Sequence, residues 1–525
     1  MASLSDSLLE LLVISTTFVV EGSWAASDND LKSNYRATIE EHRVTLDSLF
    51  DPTATITAQA RAQLVCAASK LLFGSAVVDA EDSTYDNSQQ KNWSSTCWLP
   101  AACFIRIINP HQLCIVLKIL THVQATFAVR SGGHNANVGY GSVGKEGVVL
   151  DLSALNEIIV FEEEGVVSVG PGATWEAVYT ELEKHRLTVA GGRVSDVGVG
   201  GLILGGGMSH FTTRWGSVAD NLINVELVTA DSKIVIASAG ENDDLFRALK
   251  GGGANFGIVT TFNIYTNPDY QVWYTFKVYN GNDAAKILDA TVRVQEAMEE
   301  DDRIGFFLTD NGGMFIAGMV YLGWSDSQPA AFDAFNDIMP VAVAVPPTNG
   351  TMLSVAKAAN VPGSAKHAVG GISICTDSSL YQQINDVYQD ILKDQKVSAD
   401  FSLAFTFQPV AARASKASIK MGGNPMHISP VSQAWLAFSV QWTEDSEDKF
   451  AIEQIQKLIS SARDVSRAAG KLLDFEFMND AGFSQSPLKS YGARSLAELN
   501  AVRLTWDPKE VFQKLQNSGF LLSKI

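Results

Sequence analysis

Glycine is distributed very unevenly along this 525-residue chain. Of its 41 glycines, 23 lie between positions 132 and 257, and eight of those fall in the 17 residues from 191 to 207. Each glycine inside a helix or strand costs about 0.5–1 kcal/mol relative to alanine. A fold therefore tolerates such a stretch only where a flat, polar ligand lies against the backbone. The glycine distribution predicts a ligand site in this quarter of the chain.

The charge balance excludes one large class of functions. The chain has 39 Lys and Arg against 58 Asp and Glu, a net charge of −19 at pH 7, and 46% hydrophobic residues. The apolar content indicates a large packed interior, divided into two or three domains. An acidic surface repels phosphate backbones, so nucleic acid is not expected as a partner. No apolar run reaches the roughly 18–20 residues that a membrane span requires, so none is expected.

The N-terminus allows two interpretations. Residues 8–20 are mostly apolar and residues 23–25 resemble a small-residue cleavage site, which favours a signal peptide and a secreted or vesicular protein. Asp6 and Glu10 stand where a signal peptide carries positive charge, which favours an N-terminal helix in a cytoplasmic protein. Residues 1–30 are therefore set apart as a signal peptide or an N-terminal extension.

The five cysteines are Cys66, Cys97, Cys103, Cys114 and Cys375. They lack the paired spacing of a metal site, so no metal is expected. An odd number leaves at least one of them unpaired. One interpretation pairs Cys66 with a cysteine of the segment 97–103 in a disulfide, and the remaining cysteines are interpreted as inert buried thiols.

The hydrophobic pattern divides the chain into two regions with different secondary-structure patterns. Up to about residue 267, short β-branched runs alternate with helical spacing and glycine turns, which is typical of an α/β or α+β nucleotide-binding domain. The expected strands there are residues 103–108, 125–130, 147–152 and 166–169, and the expected helices are residues 55–73, 111–123 and 174–185.

Longer, aromatic-rich strands then alternate with amphipathic helices, which indicates an antiparallel sheet covered on one face. The expected strands are residues 272–279, 305–309, 314–322, 370–375, 401–408 and 435–442, and the expected helices are residues 283–298, 329–338, 378–393 and 447–469. Residues 495–514 read as helical with a break at Trp506-Asp507-Pro508, where Asp507 is expected to cap the following helix.

Two glycine-rich segments carry most of the functional signal. Residues 129–135 read Val-Arg-Ser-Gly-Gly-His-Asn directly after an apolar strand. Successive backbone amides on such a turn form a concave site for pyrophosphate oxygens. Residues 190–207 contain Ala-Gly-Gly-Arg, Val-Gly-Val-Gly-Gly and Gly-Gly-Gly. This second segment lacks the helix context and the acidic ribose residue of the Rossmann fingerprint, so a Rossmann fold is not expected.

Two further segments complete the pattern. In residues 216–231, Asp220-Asn221 precedes a strand, and in residues 244–259 a helix ends in a triple-glycine turn before an apolar strand. In this order and spacing, the four segments resemble the berberine-bridge-enzyme-like flavoproteins of the vanillyl-alcohol oxidase / p-cresol methylhydroxylase FAD superfamily. The ending, with residues 490–492 and 507–516, is similar to that of fungal members.

The resemblance implies an α+β fold in two parts. A two-part FAD-binding domain of the p-cresol methylhydroxylase type comprises residues 31–270 and a C-terminal return, residues 475–525. Residues 271–474 form a substrate domain with an antiparallel sheet covered by helices. His134 is similar to the histidine bonded to the flavin 8α carbon. The implied cofactor-binding residues are Arg130, Ser131, Gly132, Gly133, His134, Asn135, Gly139, Val194, Gly198, Val199, Gly200, Gly201, Gly205, Gly206, Gly207, His210, Asp220, Asn221, Ile258, Val259 and Asn479.

The sequence departs from the family pattern at two places. Many members have a second flavin bond from a cysteine at the position of Val194, so attachment through His134 only is expected here. Members also often carry tyrosines around an asparagine near the end of the substrate domain, one of which can act as a base. Here that stretch, residues 475–481, reads Phe-Glu-Phe-Met-Asn-Asp-Ala.

Asn479 remains in this stretch, while Phe477 and Asp480 replace the aromatic hydroxyls. On a strand, Phe475, Phe477 and Asn479 would share one face. Asp480 or Glu476 could serve as the base instead, because a carboxylate whose pKa is raised by burial accepts a proton readily. The alternative is that both carboxylates are solvated surface charges. The candidate catalytic residues are Asp480, Glu476 and Asn479.

The resemblance implies an FAD-dependent oxidase of a small, largely apolar natural-product intermediate. Hydride transfer to flavin N5 accompanies proton loss to a base, and O2 reoxidises the flavin to give H2O2, with ring closure in some cases. The alternative is a redox-neutral cyclase or pericyclase on the same scaffold, which the loss of the usual tyrosine motivates. Turnover without flavin bleaching would distinguish the second function from the first. Oligomeric state is not predicted.

Overall fold

The computed structural model describes residues 56–360, 365–393 and 398–525 of the chain. Within those ranges the strands form three sheets, and helices lie between and around them. The expectations for residues 1–30 lie outside the described residues. Among the residues that are described, no helix is both long enough and apolar enough to cross a membrane.

The strands before residue 270 build two of the sheets. They are β1 (Val77–Asp79), β2 (Cys103–Arg106), β3 (Thr126–Arg130), β4 (Gly147–Asp151), β5 (Ile158–Phe161), β6 (Val166–Val169), β7 (Leu222–Val228), β8 (Ile234–Ser238) and β9 (Ile258–Tyr265). The helices of this region are α1 (Ala58–Phe73), α2 (Tyr85–Gln89), α3 (Pro110–Val123), α4 (Trp175–Lys184), α5 (Val199–Leu204), α6 (Thr212–Trp215) and α7 (Asp243–Leu249).

The first sheet holds the first glycine loop at the end of β3. Its order is β1-β2-β4-β3, with β2, β4 and β3 parallel and β1 antiparallel to β2. Every residue of β4 is buried, as expected of a parallel strand covered on both faces. A disulfide between Cys66 and Cys103 joins α1 to β2, which confirms the pairing interpretation. Asn109 caps α3 by accepting the Gln112 N–H.

The second sheet is antiparallel, in the order β5-β6-β9-β7-β8. The second glycine segment runs between α4 and α6 and includes the short helix α5. The triple glycine at residues 251–253 lies between α7 and β9, as the sequence predicts. Both glycine segments and the start of β9 line the same cavity.

The third sheet is eight-stranded and antiparallel, in the order β13-β10-β12-β11-β15-β16-β14-β17. Its strands are β10 (Gln271–Asn280), β11 (Ile304–Asn311), β12 (Met314–Leu322), β13 (Ala342–Thr351), β14 (Lys366–Cys375), β15 (Ser402–Val410), β16 (Gln433–Trp442) and β17 (Leu472–Leu473). The helices are α8 (Ala284–Ala297), α9 (Met352–Ala358), α10 (Ser378–Lys393), α11 (Arg413–Lys420) and α12 (Asp448–Ala468).

The two faces of this sheet have different neighbours. Along β10, Trp273 belongs to the core formed with α8, α10 and α12, whereas Tyr274 belongs to the core shared with the glycine-rich region. On β16, Leu436 and Trp435 divide in the same way. This alternation follows from the two-residue period of a strand. The predicted α+β fold, with an antiparallel sheet covered by helices, is confirmed. The domain boundaries at residues 270 and 475 stay a prediction.

Two expectations about strands were wrong or incomplete. The sequence did not indicate β13, whose Pro346 and Pro347 argue against a strand; it forms at the edge of the sheet, where a missing N–H is tolerated. The expected strand through residues 475–479 does not form. The chain bends after β17, and Met478–Asp480 is a single 3₁₀ turn. Phe475, Phe477 and Asn479 therefore do not share a strand face.

The C-terminal tail returns to the first sheet through α13 (Pro487–Ser490), α14 (Gly492–Trp506) and α15 (Val511–Lys514). Asp507 caps α15 as predicted, since its carboxylate accepts the Val511 N–H at 2.6 Å and the Phe512 N–H at 2.9 Å. The backbone of Phe127 in β3 donates to Leu515 and accepts from Asn517. The tail thus lies beside the strand that leads into the first glycine loop.

Candidate active site

A cavity of about 420 Å³ lies where the glycine segments, β9, the 478–480 turn and the tail meet. Its size falls within the roughly 300–1,000 Å³ typical of ligand pockets. Many of the site residues predicted from the sequence line this cavity. They are Arg130, Ser131, Gly132, Gly133, His134, Asn135, Val194, Gly198, Gly200, Gly201, Gly205, Ile258, Val259, Asn479 and Asp480.

The first glycine loop presents free amides to this cavity. Within the described residues, the backbone N–H groups of residues 132–135 donate to no protein acceptor. Gly133 has φ of +70°, a conformation that glycine adopts without strain. An unpaired row of amides at a glycine turn is an anion site. The loop therefore has the donors that a pyrophosphate needs.

The two glycine segments touch through their backbones. A Cβ on Gly132 would lie 2.4 Å from the Gly198 Cα, and a Cβ on Gly198 would lie 2.5 Å from the Gly132 Cα. Gly201 has no atom within 4 Å of its Cβ position and lines the cavity. Gly132 and Gly198 must therefore be glycines, because their backbones approach each other so closely. Gly201 leaves space for a ligand.

Arg130 reaches the cavity wall, but its guanidinium is engaged elsewhere. Its Nη2 donates to Asp151 at 2.9 Å and its Nη1 to the Ser88 carbonyl at 2.8 Å. Burial opposes ionisation of Asp151, but Arg130 and the neighbouring donors outweigh it and hold the pKa of that carboxyl at about 2. Arg130 therefore anchors the start of the glycine loop.

His134 stands at the wall in a defined orientation. Its ring stacks on Trp93 with centroids 4.5 Å apart, and Trp93 stacks on His367 at 3.7 Å. Its Nε2 lies 3.7 Å from Asp196 Oδ1. The interaction with His134 lowers the pKa of Asp196, so a carboxylate faces this imidazole. The ring is held on one side by an indole and at one nitrogen by a negative charge.

The residues of the 478–480 turn face the cavity together with Phe477. Asn479 binds the second glycine segment: its Oδ1 accepts the Gly207 N–H at 3.0 Å, and its Nδ2 donates to the carbonyls of Gly201 at 3.1 Å and Leu202 at 3.2 Å. Asn479 is therefore a positioning residue for the glycine backbone. The side chain leaves no room for a Cβ on Gly205, which would lie 2.4 Å from Nδ2.

Asp480 is the one carboxylate among the described residues that line the cavity. Its Oδ2 accepts from Gln408 Nε2 at 2.6 Å, and Gln408 Oε1 in turn accepts from Arg193. Burial raises the pKa of Asp480, although the Gln408 hydrogen bond and the positive charge of Arg193 oppose that shift. A carboxylate with a raised pKa in a cavity is a candidate proton acceptor.

Glu476 and His210 lie outside the cavity. Glu476 accepts from Arg463 at 2.6 Å and from the Ser486 N–H at 3.0 Å, so its carboxylate joins α12 to the tail. His210 borders a small adjoining gap with Arg193, and burial lowers its pKa to about 3. The structure therefore separates the two predicted carboxylates and brings only Asp480 to the site.

Several other predicted cofactor residues also stand away from the cavity wall. Asp220 accepts from the Ser217 N–H at 2.9 Å and from Asn424 at 2.8 Å, so it closes a turn. Asn221 donates to the Trp215 carbonyl at 2.9 Å and belongs to the same turn. The remaining predicted cofactor residues that do not line the cavity are Gly139, Val199, Gly206 and Gly207.

Sequence reasoning missed part of the wall. The tail contributes Gln516, Ser518, Gly519 and Phe520, and Arg193 was read only as part of a glycine motif. The tail lies at this wall because it pairs with β3, a contact between residues almost 400 positions apart. Local patterns carry no sign of such a pairing. For Arg193, a charged residue within a glycine run was the available signal.

Three comparisons with known proteins agree on the class of protein. Residues 101–238 match the family model described as an FAD binding domain. The chain is 30% identical over 465 residues to an FAD-dependent monooxygenase of Arthrobotrys oligospora, covering 88% of this chain and 90% of the relative. The chain therefore belongs to the same family as this FAD-dependent monooxygenase. The fungal-type resemblance is thereby confirmed.

Two further likenesses concern a fungal enzyme and a solved plant structure. The bifunctional solanapyrone synthase of Alternaria solani is 29% identical over 462 residues, with 87% of this chain and 89% of that protein covered. The solved structure of Physcomitrella patens BBE-like 1 superposes with a TM-score of 0.72 at 18% identity, covering 89% of this chain and 99% of that one. The second likeness concerns the fold alone.

The residues present fit an FAD cofactor. The unpaired amides of residues 132–135 suit its pyrophosphate, and the open face of Gly201 leaves space beside the backbone. Ile258 and Val259 form an apolar stretch of the same wall. The protein is an FAD-dependent oxidoreductase.

Proposed function

We propose that this flavoprotein is an oxidase of a small, largely apolar natural-product intermediate, with Asp480 as its base. The observation that carries the proposal is the position of Asp480 at the cavity wall beside Phe477. Its Oδ1 has no hydrogen-bond partner among the described residues, whereas Oδ2 is held by Gln408. The group is therefore oriented by one oxygen and free to accept a proton at the other.

The other residues orient the substrate and exclude water. Phe477, Met208 and Leu204 are apolar residues that line the same cavity as Asp480. An apolar lining suits an apolar substrate and strengthens local electrostatics. Asn479 holds the glycine segment against which the ligand lies. When bound, FAD supplies the acceptor for a substrate hydride, and O2 then takes up the two electrons to give H2O2.

Asp480→Asn tests the base. General-base catalysis contributes about 10²–10⁴ in rate, so the variant should reduce its flavin that much more slowly under anaerobic conditions, with metabolites of the producing organism as substrates. Asp474→Asn, an exposed carboxylate six residues earlier, removes the same charge and serves as the control. A loss of less than about tenfold in Asp480→Asn would show that Asp480 is not the base.

A redox-neutral cyclase is the second candidate function. It is favoured by Phe477, which brings no hydroxyl to the wall at a position where the family resemblance implies a tyrosine. The same anaerobic experiment separates the two functions. Product formation without flavin bleaching, and without H2O2 in air, would overturn the oxidase and support the cyclase.

The flavin is proposed to be bonded to His134 alone. The support is that His134 stands at the wall beside Asp196 while Val194 provides no nucleophile. Burial raises the pKa of the Cys97 thiol to about 11, so it stays protonated near neutral pH. Acid-precipitated wild-type protein should remain yellow, and His134→Ala should give a colourless pellet. A colourless wild-type pellet would refute the bond.

A further inference from the structure

Arg193 places a positive charge at the end of the cavity where Asp480 lies. It is half-buried, and its Nη2 donates to Gln408 Oε1. No other hydrogen bond of its guanidinium is formed within the described residues, and no carboxylate there pairs with it directly. Gln408 stands between Arg193 and Asp480. The guanidinium thus retains free donors on a residue that lines the cavity.

The contacts around Arg193 do not neutralise it. An arginine side chain remains protonated in proteins, and it offers donors but no acceptor. Gln408 must therefore turn its oxygen to Arg193 and its nitrogen to Asp480, which is the arrangement observed. His210, on the far side of Arg193, is kept neutral because burial lowers its pKa. The cation that faces the cavity lacks a counter-ion in direct contact.

We propose that Arg193 is a specificity-determining residue that binds an acidic oxygen of the substrate. The substrate class is then an apolar compound bearing a carboxylate or an enolised 1,3-dicarbonyl, held with that oxygen close to Asp480. The planar guanidinium suits both oxygens of such groups, since it can donate two parallel hydrogen bonds. The inference rests on the proposed catalytic role of this end of the cavity, but binding can be measured without turnover.

The experiment uses the flavin-loaded protein and two matched pairs of probes. These are benzoate with methyl benzoate, and dimedone with its methyl enol ether, titrated while the visible flavin absorbance is recorded. Wild-type protein should bind each acidic probe at least tenfold more tightly than its neutral partner. Arg193→Gln should weaken binding of the acidic probes by about ten- to a hundredfold and leave the neutral probes unchanged, because it removes a charge-assisted hydrogen bond.

Two further variants keep the result interpretable. Arg193→Lys retains the charge without the planar fork, so it should recover part of the acidic-probe binding. Lys416→Gln removes an exposed positive charge from the surface and should bind all four probes as wild type does. It thus controls for net charge.

Three results would overturn the proposal. They are a wild-type protein that does not discriminate within the pairs, an Arg193→Gln variant that binds acids normally, and a variant that loses flavin or binds all four probes more weakly. The last result would assign Arg193 to the flavin or to the fold. If the oxidase proposal is wrong and the Arg193 proposal is right, the result is different. The acidic probes then still bind through Arg193, but no substrate bleaches the flavin.

Discussion

Gly132→Ala offers a stringent test of how the two glycine segments are assembled. A Cβ at this position would lie 2.4 Å from the Gly198 Cα and 2.7 Å from its nitrogen, whereas ordinary contacts begin at 3.4 Å. Both obstructing atoms belong to the backbone and cannot rotate away. The segments must therefore separate by about 1 Å, the difference between 3.4 and 2.4 Å.

The separation should cost both stability and flavin binding. Overpacking of a tight interior costs about 1–3 kcal/mol. At about 2–4 °C per kcal/mol, a value for domains of 150–250 residues, the unfolding temperature should fall by roughly 2–12 °C. The shift also moves the free amides of residues 132–135 relative to Gly201, so the flavin content per chain should fall.

The assay is thermal unfolding followed by circular dichroism, together with the ratio of flavin to protein absorbance. Gly240→Ala is the matched control, because no atom lies within 4 Å of its Cβ position and its φ is not positive. It should leave both readings unchanged. If Gly132→Ala unfolds at the wild-type temperature with full flavin content, the close backbone contact is not as the structure places it.

Three other perturbations have defined outcomes. Gly201→Ala should lower flavin content without lowering the unfolding temperature of flavin-free protein, since its Cβ meets only the cavity; full flavin content would contradict this. Burial raises the pKa of Asp310 to about 6, so its stabilising contribution is present below its ordinary pKa and is lost as pH rises to about 6. In urea unfolding, the free energy of unfolding of wild type should fall by about 3 kcal/mol relative to that of Asp310→Asn across that pH range. If the two free energies change in parallel with pH, the raised pKa of Asp310 is refuted. Replacing both Cys66 and Cys103 with serine opens a 37-residue separation and should cost about 4 kcal/mol in the same assay; no loss would mean that the disulfide does not form.

Much of the architecture was predictable because its signals are local. The strands at 166–169 and 314–322 and the helix at 378–393 form with the predicted bounds. Their hydrophobic periods of 2 and 3.6 residues are set by backbone geometry and need no knowledge of neighbours. The capping by Asp507 was predictable for the same reason.

The part of the cavity around residues 477–480 was less predictable, because its contacts join distant parts of the chain. On a strand through residues 475–479, the side chains of Glu476 and Phe477 would have pointed to opposite faces. The 3₁₀ turn instead brings Met478, Asn479 and Asp480 to one wall of the cavity. Glu476 is held away from the cavity by its contact with Arg463 on α12. Which carboxylate faces the cavity was therefore decided by packing.

By itself, the sequence predicted a phosphate-bearing ligand against glycine backbone, followed by a covered antiparallel sheet. Glycine spacing and hydrophobic period encode these features directly, since each acts within a few residues. The tertiary structure decided the electrostatics: Arg193 meets Gln408 across 215 positions, and Gln408 meets Asp480 across 72. Hydrogen bonds and burial depend on which groups end up within about 3 Å of each other in the folded protein. Only folding brings these three side chains to that distance.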